Sequence, residues 1–261
     1  MQEEFDKRSA ESSAAITDCD MGGGLIVPSS LHRIEGALKD KIDEADEEKT
    51  SLILKECFGE TVERIKDYCD LPIVELEENL FVIELESVRA FEGVERGKRA
   101  MLIASTFAAA YSDLAIEGRA RLFLPFEKGL LFGAALAKRI GVPFEIFVAS
   151  KEEEFADCQA SVKALNDKDV KCASASKDAA FETINNFSEY DDYIFDPVSA
   201  MAASAFEAVE EDEDEVPSII VSVASPMRFA LEVTRALGVK AKDEKEARRK
   251  LEELFAVEPI E

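Results

Sequence analysis

Hydrophobic positions along the chain form short apolar runs separated by segments with helical spacing. Residues 72–76 (P-I-V-E-L) and 80–85 (L-F-V-I-E-L) are predicted to be two strands around a turn at residues 77–79. Further along, residues 101–105, 121–124 and 144–148 have strand character, and an alanine-rich segment with helical spacing lies between the first two. This alternation predicts an α/β fold in which parallel-sheet layers are covered by helices.

The remaining elements follow the same two periodicities. Helices are predicted over residues 129–138, 155–165, 200–209 and 226–237, and a strand over residues 218–223. A last helix begins at Asp243, with Glu246 three residues later in a capping-box-like pair. Its apolar face consists of Ala247, Leu251, Leu254 and Phe255.

Changes in composition divide the chain into four parts. Residues 1–19 are predicted to be a flexible tail, 20–94 an N-terminal α/β region, and 95–195 a central α/β domain. Residues 196–261 are predicted to pack back on the N-terminal region. The acidic run at residues 210–215 (E-E-D-E-D-E) is expected to be a solvated loop.

The charge balance restricts the partners of this protein. The 261 residues include 31 Lys and Arg against 56 Asp and Glu, which gives a formal net charge of −25. Such a charge repels nucleic acids and anionic membrane surfaces. The longest nearly apolar run, residues 100–111, is too short to span a bilayer as a helix. We therefore expect no nucleic-acid partner and no direct membrane insertion.

Cysteine and histidine usage excludes several kinds of site. The five cysteines are scattered and form no C-x-x-C pair, which argues against a zinc site or a disulfide framework. Because His32 is the only histidine, catalytic triads and histidine-rich metal sites are excluded. Together with the polar N-terminus, this predicts a soluble intracellular protein of the cytoplasm or an organelle matrix.

Five sequence strings occur in the order found in threonine synthases. They are residues 20–28 (D-M-G-G-G-L-I-V-P), 71–85, 155–163 (F-A-D-C-Q-A-S-V-K), 196–200 (D-P-V-S-A) and 222–229 (S-V-A-S-P-M-R-F). The chain thus resembles the threonine synthase family, and the third string, similar to F-D-D-C-Q-x-x-V-K, is the most specific. The resemblance implies the fold of fold-type II pyridoxal phosphate (PLP) enzymes, two α/β domains facing a cleft.

The departures from this family are at positions that would bind PLP or react with it. Glu92, within A-F-E-G-V, stands where the family has the lysine that forms a Schiff base with PLP. A carboxylate cannot form an imine. The threonine that would meet the pyridine nitrogen corresponds to Val223, and two family histidines correspond to Val198 and Ser225. No convincing G-N-F-G-N loop is present, and residues 105–109 (S-T-F-A-A) lack the glycines of the expected S-G-D-T-G loop.

These substitutions predict a pseudoenzyme without a specific cofactor, a metal site or catalytic residues, retained as a structural or interaction subunit of a protein assembly. The predicted contact surfaces are residues 129–137 and the C-terminal helix. One alternative is a PLP-dependent lyase with a relocated lysine, Lys98 or Lys128. Another is a non-catalytic sensor that binds a small ligand in the ancestral cleft. Glu92 as a general base is a weaker hypothesis, because no paired acid is identifiable. Cys158 as a nucleophile is also weaker, because core packing is its expected role.

Overall fold

The structure is a computed structural model that describes residues 17–18, 23–24, 33–34, 49–58, 72–85, 96–209 and 216–255. A short antiparallel pair joins β1 (Thr17–Asp18) and β2 (Gly23–Gly24). The other strands are β3 (Ile73–Glu77), β4 (Leu80–Glu84), β5 (Ala120–Pro125), β6 (Phe144–Ser150), β7 (Val170–Ser174) and β8 (Ser218–Ser222). The α-helices are α1 (Lys49–Phe58), α2 (Arg96–Asp113), α3 (Lys128–Arg139), α4 (Phe155–Leu165), α5 (Lys177–Tyr190), α6 (Ser199–Glu207), α7 (Ala230–Ala236) and α8 (Glu244–Phe255).

Six strands form one sheet in the order β3-β4-β8-β5-β6-β7. The β3–β4 hairpin is antiparallel, and every other neighbouring pair is parallel. Strand β8, the last of the described strands, is inserted between β4 and β5, so the sheet combines strands from distant parts of the sequence. The protein is therefore α/β with a mostly parallel sheet, as the sequence predicts.

Helices cover both faces of the sheet, and this explains the apolar character of its central strands. Strand β5 is buried along its whole length; Leu122 and Leu124 join one core cluster and Phe123 the other. The first cluster includes residues of α1, α2, α3 and α4, and the second includes residues of α5, α6, α7 and α8. Because alternate side chains of a strand point to opposite faces, a strand between two helical layers must be apolar on both.

Helices α2 and α3 pack closely at Gly133. A Cβ atom added at Gly133 would lie 2.3 Å from Cγ2 of Ile103 and 3.3 Å from the carbonyl oxygen of Ala100. Both neighbours are buried on α2. The missing side chain at Gly133 is what allows the two helices to approach each other.

Most predicted elements are confirmed, including the hairpin of β3 and β4, whose turn holds Asn79 at φ 67°. One strand is wrong: residues 101–105 lie inside α2, where every residue from 100 to 110 is buried, so no polar face marks the helical period. The predicted helix over residues 226–237 is a 3₁₀ turn (Pro226–Phe229) followed by α7. Strand β7 and helix α5 were not predicted.

The two predicted contact surfaces differ in exposure. Residues 130–137 of α3 are all buried against the protein's own core, so this prediction of an external contact surface is wrong. On α8, Ala247 and Leu251 are buried, whereas Leu254 is 47% exposed. The C-terminal helix therefore keeps part of its apolar face available.

Candidate functional site at the carboxyl edge of the sheet

The carboxyl ends of the parallel strands meet at one edge of the sheet, where α/β proteins bind their ligands. Strands β4 and β8 are adjacent and parallel, so Glu84 and Ser222 lie side by side at this edge. The segment between α5 and α6 also reaches it and brings Asp196 and Ser199 next to Val223. The edge thus brings together the strings at residues 196–200 and 222–229.

Asp196 is the centre of a hydrogen-bond network and is completely buried. Its carboxylate accepts backbone N–H bonds from Val198 at 2.8 Å and Ser199 at 3.3 Å, and a short bond from the Ser199 hydroxyl. Ser199 Oγ in turn accepts the backbone N–H of Val223 at 2.9 Å. The start of α6 is therefore fixed to the end of β8.

Burial of this carboxyl group has an electrostatic cost. Desolvation raises the pKa of Asp196 above its ordinary value, and the hydrogen bonds from Ser199 and from backbone amides oppose that rise. A buried acid with this many donors is held in one orientation. The arrangement suits a structural anchor, because the Asp196 carboxylate accepts its hydrogen bonds from groups of the same protein.

A second contact joins Tyr193 to Glu84. The Tyr193 hydroxyl donates to Oε1 of Glu84 at 2.9 Å, and the ring packs against Phe195 with centroids 4.6 Å apart. Burial and then the negative charge of Glu84 raise the pKa of Tyr193 well above its usual range. Tyr193 is therefore a neutral hydrogen-bond donor, not a ready base.

A cleft of about 610 Å³ opens beside this network. Its lining includes Val198, Met201, Phe181, Lys151 and Lys177. The Lys177 ammonium lies 2.9 Å from Oε1 of Glu232 and 5.1 Å from the ring centroid of Phe181. The positive charge of Lys177 is thus already partnered, and the cleft combines an apolar floor with a mixed-charge rim.

The predicted site residues occupy different places. Val198 lines the cleft, and Val223 contributes its backbone N–H to the network. Ser225 caps the 3₁₀ turn that follows β8, because its hydroxyl accepts the N–H of Met227 at 3.1 Å. Glu92, the residue at the expected lysine position, lies outside the described residues, as does His32.

Both alternative lysines have defined backbone positions. Lys98 lies in the first turn of α2. Lys128 is the first residue of α3 and directly follows β5, so it stands at the carboxyl edge of the sheet. Lys98 is near the same edge, because its neighbour Arg99 contacts Glu127, the residue before Lys128.

The loop expected to match S-G-D-T-G is also displaced. The sequence placed it after residue 104, but residues 105–109 are within α2. The turn that follows a parallel strand is residues 126–127 (F-E), between β5 and α3. Glu127 occupies the N-cap position of α3, and its Oε1 lies 3.3 Å from Nη2 of Arg99. A carboxylate therefore stands at this helix N-terminus, where other proteins bind anions.

Cys158 is buried in α4 with its Sγ 3.0 Å from that of Cys172 on β7, which is consistent with the predicted core position. No sequence pattern marked Cys172, Tyr193 or Ser199 as a contact residue. Ser199 belongs to a recognised string, but its role depends on Val223, which follows β8 and is 24 residues away in sequence. Among the described residues, no group of three or more His, Cys, Asp or Glu could hold a metal ion, and none of the helices could cross a membrane.

Solved structures similar to this chain define its fold class: it has the fold of threonine synthases. The PLP-bound threonine synthase from Brucella melitensis superposes with a TM-score of 0.62 and 13% identity, over 90% of this chain and 89% of that chain. Threonine synthase from Escherichia coli gives a TM-score of 0.62 and 11% identity, over 90% and 91% of the two chains. The sequence itself matches no protein-family profile and no curated protein.

Proposed function

We propose that this chain is a pseudoenzyme with a threonine synthase-like fold that serves as a structural or interaction subunit. The observation that carries the proposal is the closed network of Asp196, Ser199 and the Val223 N–H at the carboxyl edge of the sheet. Its donors and acceptors are directed at each other. A ligand that needed the same groups would have to break bonds between buried partners, which costs about 1–3 kcal/mol for each group left unsatisfied.

We infer that the described residues do not fit PLP. Glu127, paired with Arg99, places a carboxylate at the N-terminus of α3, where a phosphate group would otherwise bind. At the position expected to face a pyridine nitrogen, Val223 offers only its side-chain methyl groups, and its N–H is bonded to Ser199. Both observations support the proposal that this protein does not use the cofactor of its structural neighbours.

An interaction role is supported by apolar surface. Among the described residues, the large hydrophobic side chains that remain exposed are Tyr190, at 77%, and Leu254, at 47%. Tyr190 is the last residue of α5, and Leu254 lies near the end of α8. We propose that Leu254, on the part of the predicted C-terminal surface that remains available, contacts another protein subunit.

The cofactor prediction can be tested with borohydride trapping. The purified protein is incubated with equimolar PLP, reduced with borohydride and mapped by peptide mass spectrometry, with Escherichia coli threonine synthase as the positive control. Because any exposed lysine reacts slowly, wild type is compared with Lys128→Arg and Lys98→Arg. We expect the same sparse, scattered labelling in all three proteins. A near-stoichiometric adduct that disappears in one variant would establish a relocated lysine.

The position of Lys128 keeps the relocated-lysine lyase as a second candidate, since this residue stands at the carboxyl edge. The third candidate, a small-ligand sensor, is supported by the 610 Å³ cleft and its apolar floor. A thermal-shift screen with small amino acids and phosphorylated amino acids distinguishes it, because a ligand that binds the folded state raises Tm. We expect no shift from any of these compounds.

The interaction role needs a separate experiment. Tagged wild type and Leu254→Glu are expressed at native level, and the proteins that co-purify are identified by mass spectrometry. Leu254 is exposed, so the substitution should leave Tm unchanged while removing at least one stoichiometric partner. An unchanged set of partners would contradict a role for this helix face.

A further inference from the structure

Two thiols from different elements meet outside the carboxyl-edge network. Cys158 is in the first turn and a half of α4, and Cys172 is in the middle of β7. Their sulfur atoms are 3.0 Å apart, closer than a relaxed contact between two sulfur atoms that share no bond. A disulfide requires these sulfur atoms to approach each other by about 1 Å more.

The surroundings of the two thiols are asymmetric. Cys158 is completely buried, and its Sγ lies 3.9 Å from the carbonyl oxygen of Val148 on β6. Cys172 pairs in register with Val148 but is partly exposed, because β7 is an edge strand of the sheet. Cys172 is therefore the thiol that is more accessible to a small oxidant, and Cys158 lies behind it in the core.

Hydrogen bonding between the thiols favours the same order of reaction. The bond from Cys158 lowers the pKa of Cys172. The same bond, followed by burial, raises the pKa of Cys158 above its usual range. Cys172 is thus the thiol that more readily becomes the nucleophilic thiolate.

We propose that Cys158 and Cys172 form a redox-active dithiol that a hydroperoxide converts into an intramolecular disulfide. The Cys172 thiolate attacks one oxygen of the peroxide, the O–O bond breaks, and an alcohol or water leaves, so that Cys172 becomes a sulfenic acid. The Cys158 sulfur then displaces water from that sulfenic sulfur as its proton is lost. Overall, two thiols and one hydroperoxide give one disulfide, one alcohol or water, and one further water.

The disulfide would connect α4 covalently to the edge strand β7. In the reduced protein, β7 is held on one side by β6 and packs against α4 through side-chain contacts. The oxidised form closes a loop within the unit made of α4 and β7, and this restricts the unfolded chain. The reduced and oxidised proteins should therefore differ in stability, with the oxidised protein more resistant to unfolding.

The experiment uses a full-length variant in which Cys19, Cys57 and Cys69 are replaced by serine, so that only the proposed pair remains. After treatment with hydrogen peroxide and blocking of free thiols, trypsin should release residues 152–163 joined to residues 172–177. The intact protein should have lost two hydrogen atoms and regain them with dithiothreitol. Wild type, treated in parallel, should give the same joined peptides, which guards against a folding defect in the variant.

The order of reaction is tested by single substitutions. In Cys158→Ser, Cys172 should accumulate as a sulfenic acid that a cyclic 1,3-diketone traps, and in Cys172→Ser the buried Cys158 should trap little. The oxidised wild type should also show a higher Tm than the reduced wild type. Oxidation of Cys172 to the sulfinic acid in wild type without joined peptides would overturn the proposal, as would joined peptides with an unchanged Tm.

Discussion

The Tyr193 hydroxyl donates a hydrogen bond to Oε1 of Glu84 at 2.9 Å, across 109 residues of sequence. The bond joins the loop before α6 to the end of β4, beside the β8 strand. It is thus one of the contacts that close the carboxyl edge of the sheet with the protein's own side chains. Its removal should be measurable as a loss of stability.

We expect Tyr193→Phe to lower the free energy of unfolding by about 1–2 kcal/mol, because the substitution leaves Glu84 without this donor but keeps the ring packed on Phe195. Urea unfolding followed by circular dichroism measures the change. The matched control is Tyr190→Phe, since Tyr190 is 77% exposed. Equal effects of the two substitutions would show that the bond to Glu84 contributes nothing.

Ser199→Ala should destabilise the protein by about 1–3 kcal/mol, because the half-buried Val223 N–H loses its acceptor and the buried Asp196 loses a donor. Ser204→Ala provides a control in the same helix, since its hydroxyl bonds only to the Met201 carbonyl at 2.9 Å. That control should change the unfolding free energy by no more than about 0.5 kcal/mol. A Ser199→Ala protein as stable as the control would argue against the anchoring role of the network.

The charge of Asp196 should make stability depend on pH. Since burial raises its pKa above the ordinary 3.8, the folded protein keeps this proton at pH values where the unfolded chain has released it. The contribution is complete below pH 3.8 and is lost as pH rises through the folded-state value. Asp196→Asn removes the titration, so the stability of wild type relative to this variant should decline as pH rises from 3.8.

Urea unfolding of both proteins across a pH series measures this decline, and Ser204→Ala, studied in the same series, accounts for titration of the other acidic groups of a chain with net charge −25. A stability difference that grows with pH would contradict the expected sign. It would mean that the hydrogen bonds to the Asp196 carboxylate outweigh the cost of burying it.

Gly133→Ala should destabilise the protein by about 1–3 kcal/mol, because the new Cβ would lie 2.3 Å from Ile103 Cγ2 in a packed helix interface. That cost exceeds the gain of up to about 1 kcal/mol in helix propensity. Gly129→Ala is the control in the same helix, since its nearest neighbour is the end of the Glu127 side chain, at 3.2 Å. Thermal unfolding should place Gly129→Ala at or above wild type and Gly133→Ala below it.

Local sequence patterns predicted much of the fold but misassigned several elements. The capping pair of α8 is confirmed: Glu246 N–H donates to Asp243 Oδ1 at 2.9 Å, and Glu246 Oε2 accepts the Lys242 N–H at 3.1 Å. The strand prediction for residues 101–105 failed because a fully buried helix segment and a buried strand have the same apolar composition. Strand β7 was missed because it has only five residues, of which Val170 alone is fully buried, so its apolar pattern is weak.

The candidate site was only partly predictable. The strings at residues 196–200 and 222–229 were recognised, and the structure brings them into contact through Ser199 and Val223. Tyr193 belongs to no recognised string, and its partner Glu84 comes from another part of the chain. The role of Ser225 as a cap became clear only with the 3₁₀ turn in place.

The sequence by itself determined the α/β class, the periodicity of most elements, the acidity and the likeness to threonine synthases, because each of these properties is written in residue types and short spacings. The tertiary structure decided which residues meet. The insertion of β8 between β4 and β5 places Ser222 beside Glu84, and the packing of α4 on β7 places Cys158 beside Cys172. Such contacts depend on strand order, which hydrophobic periodicity does not encode.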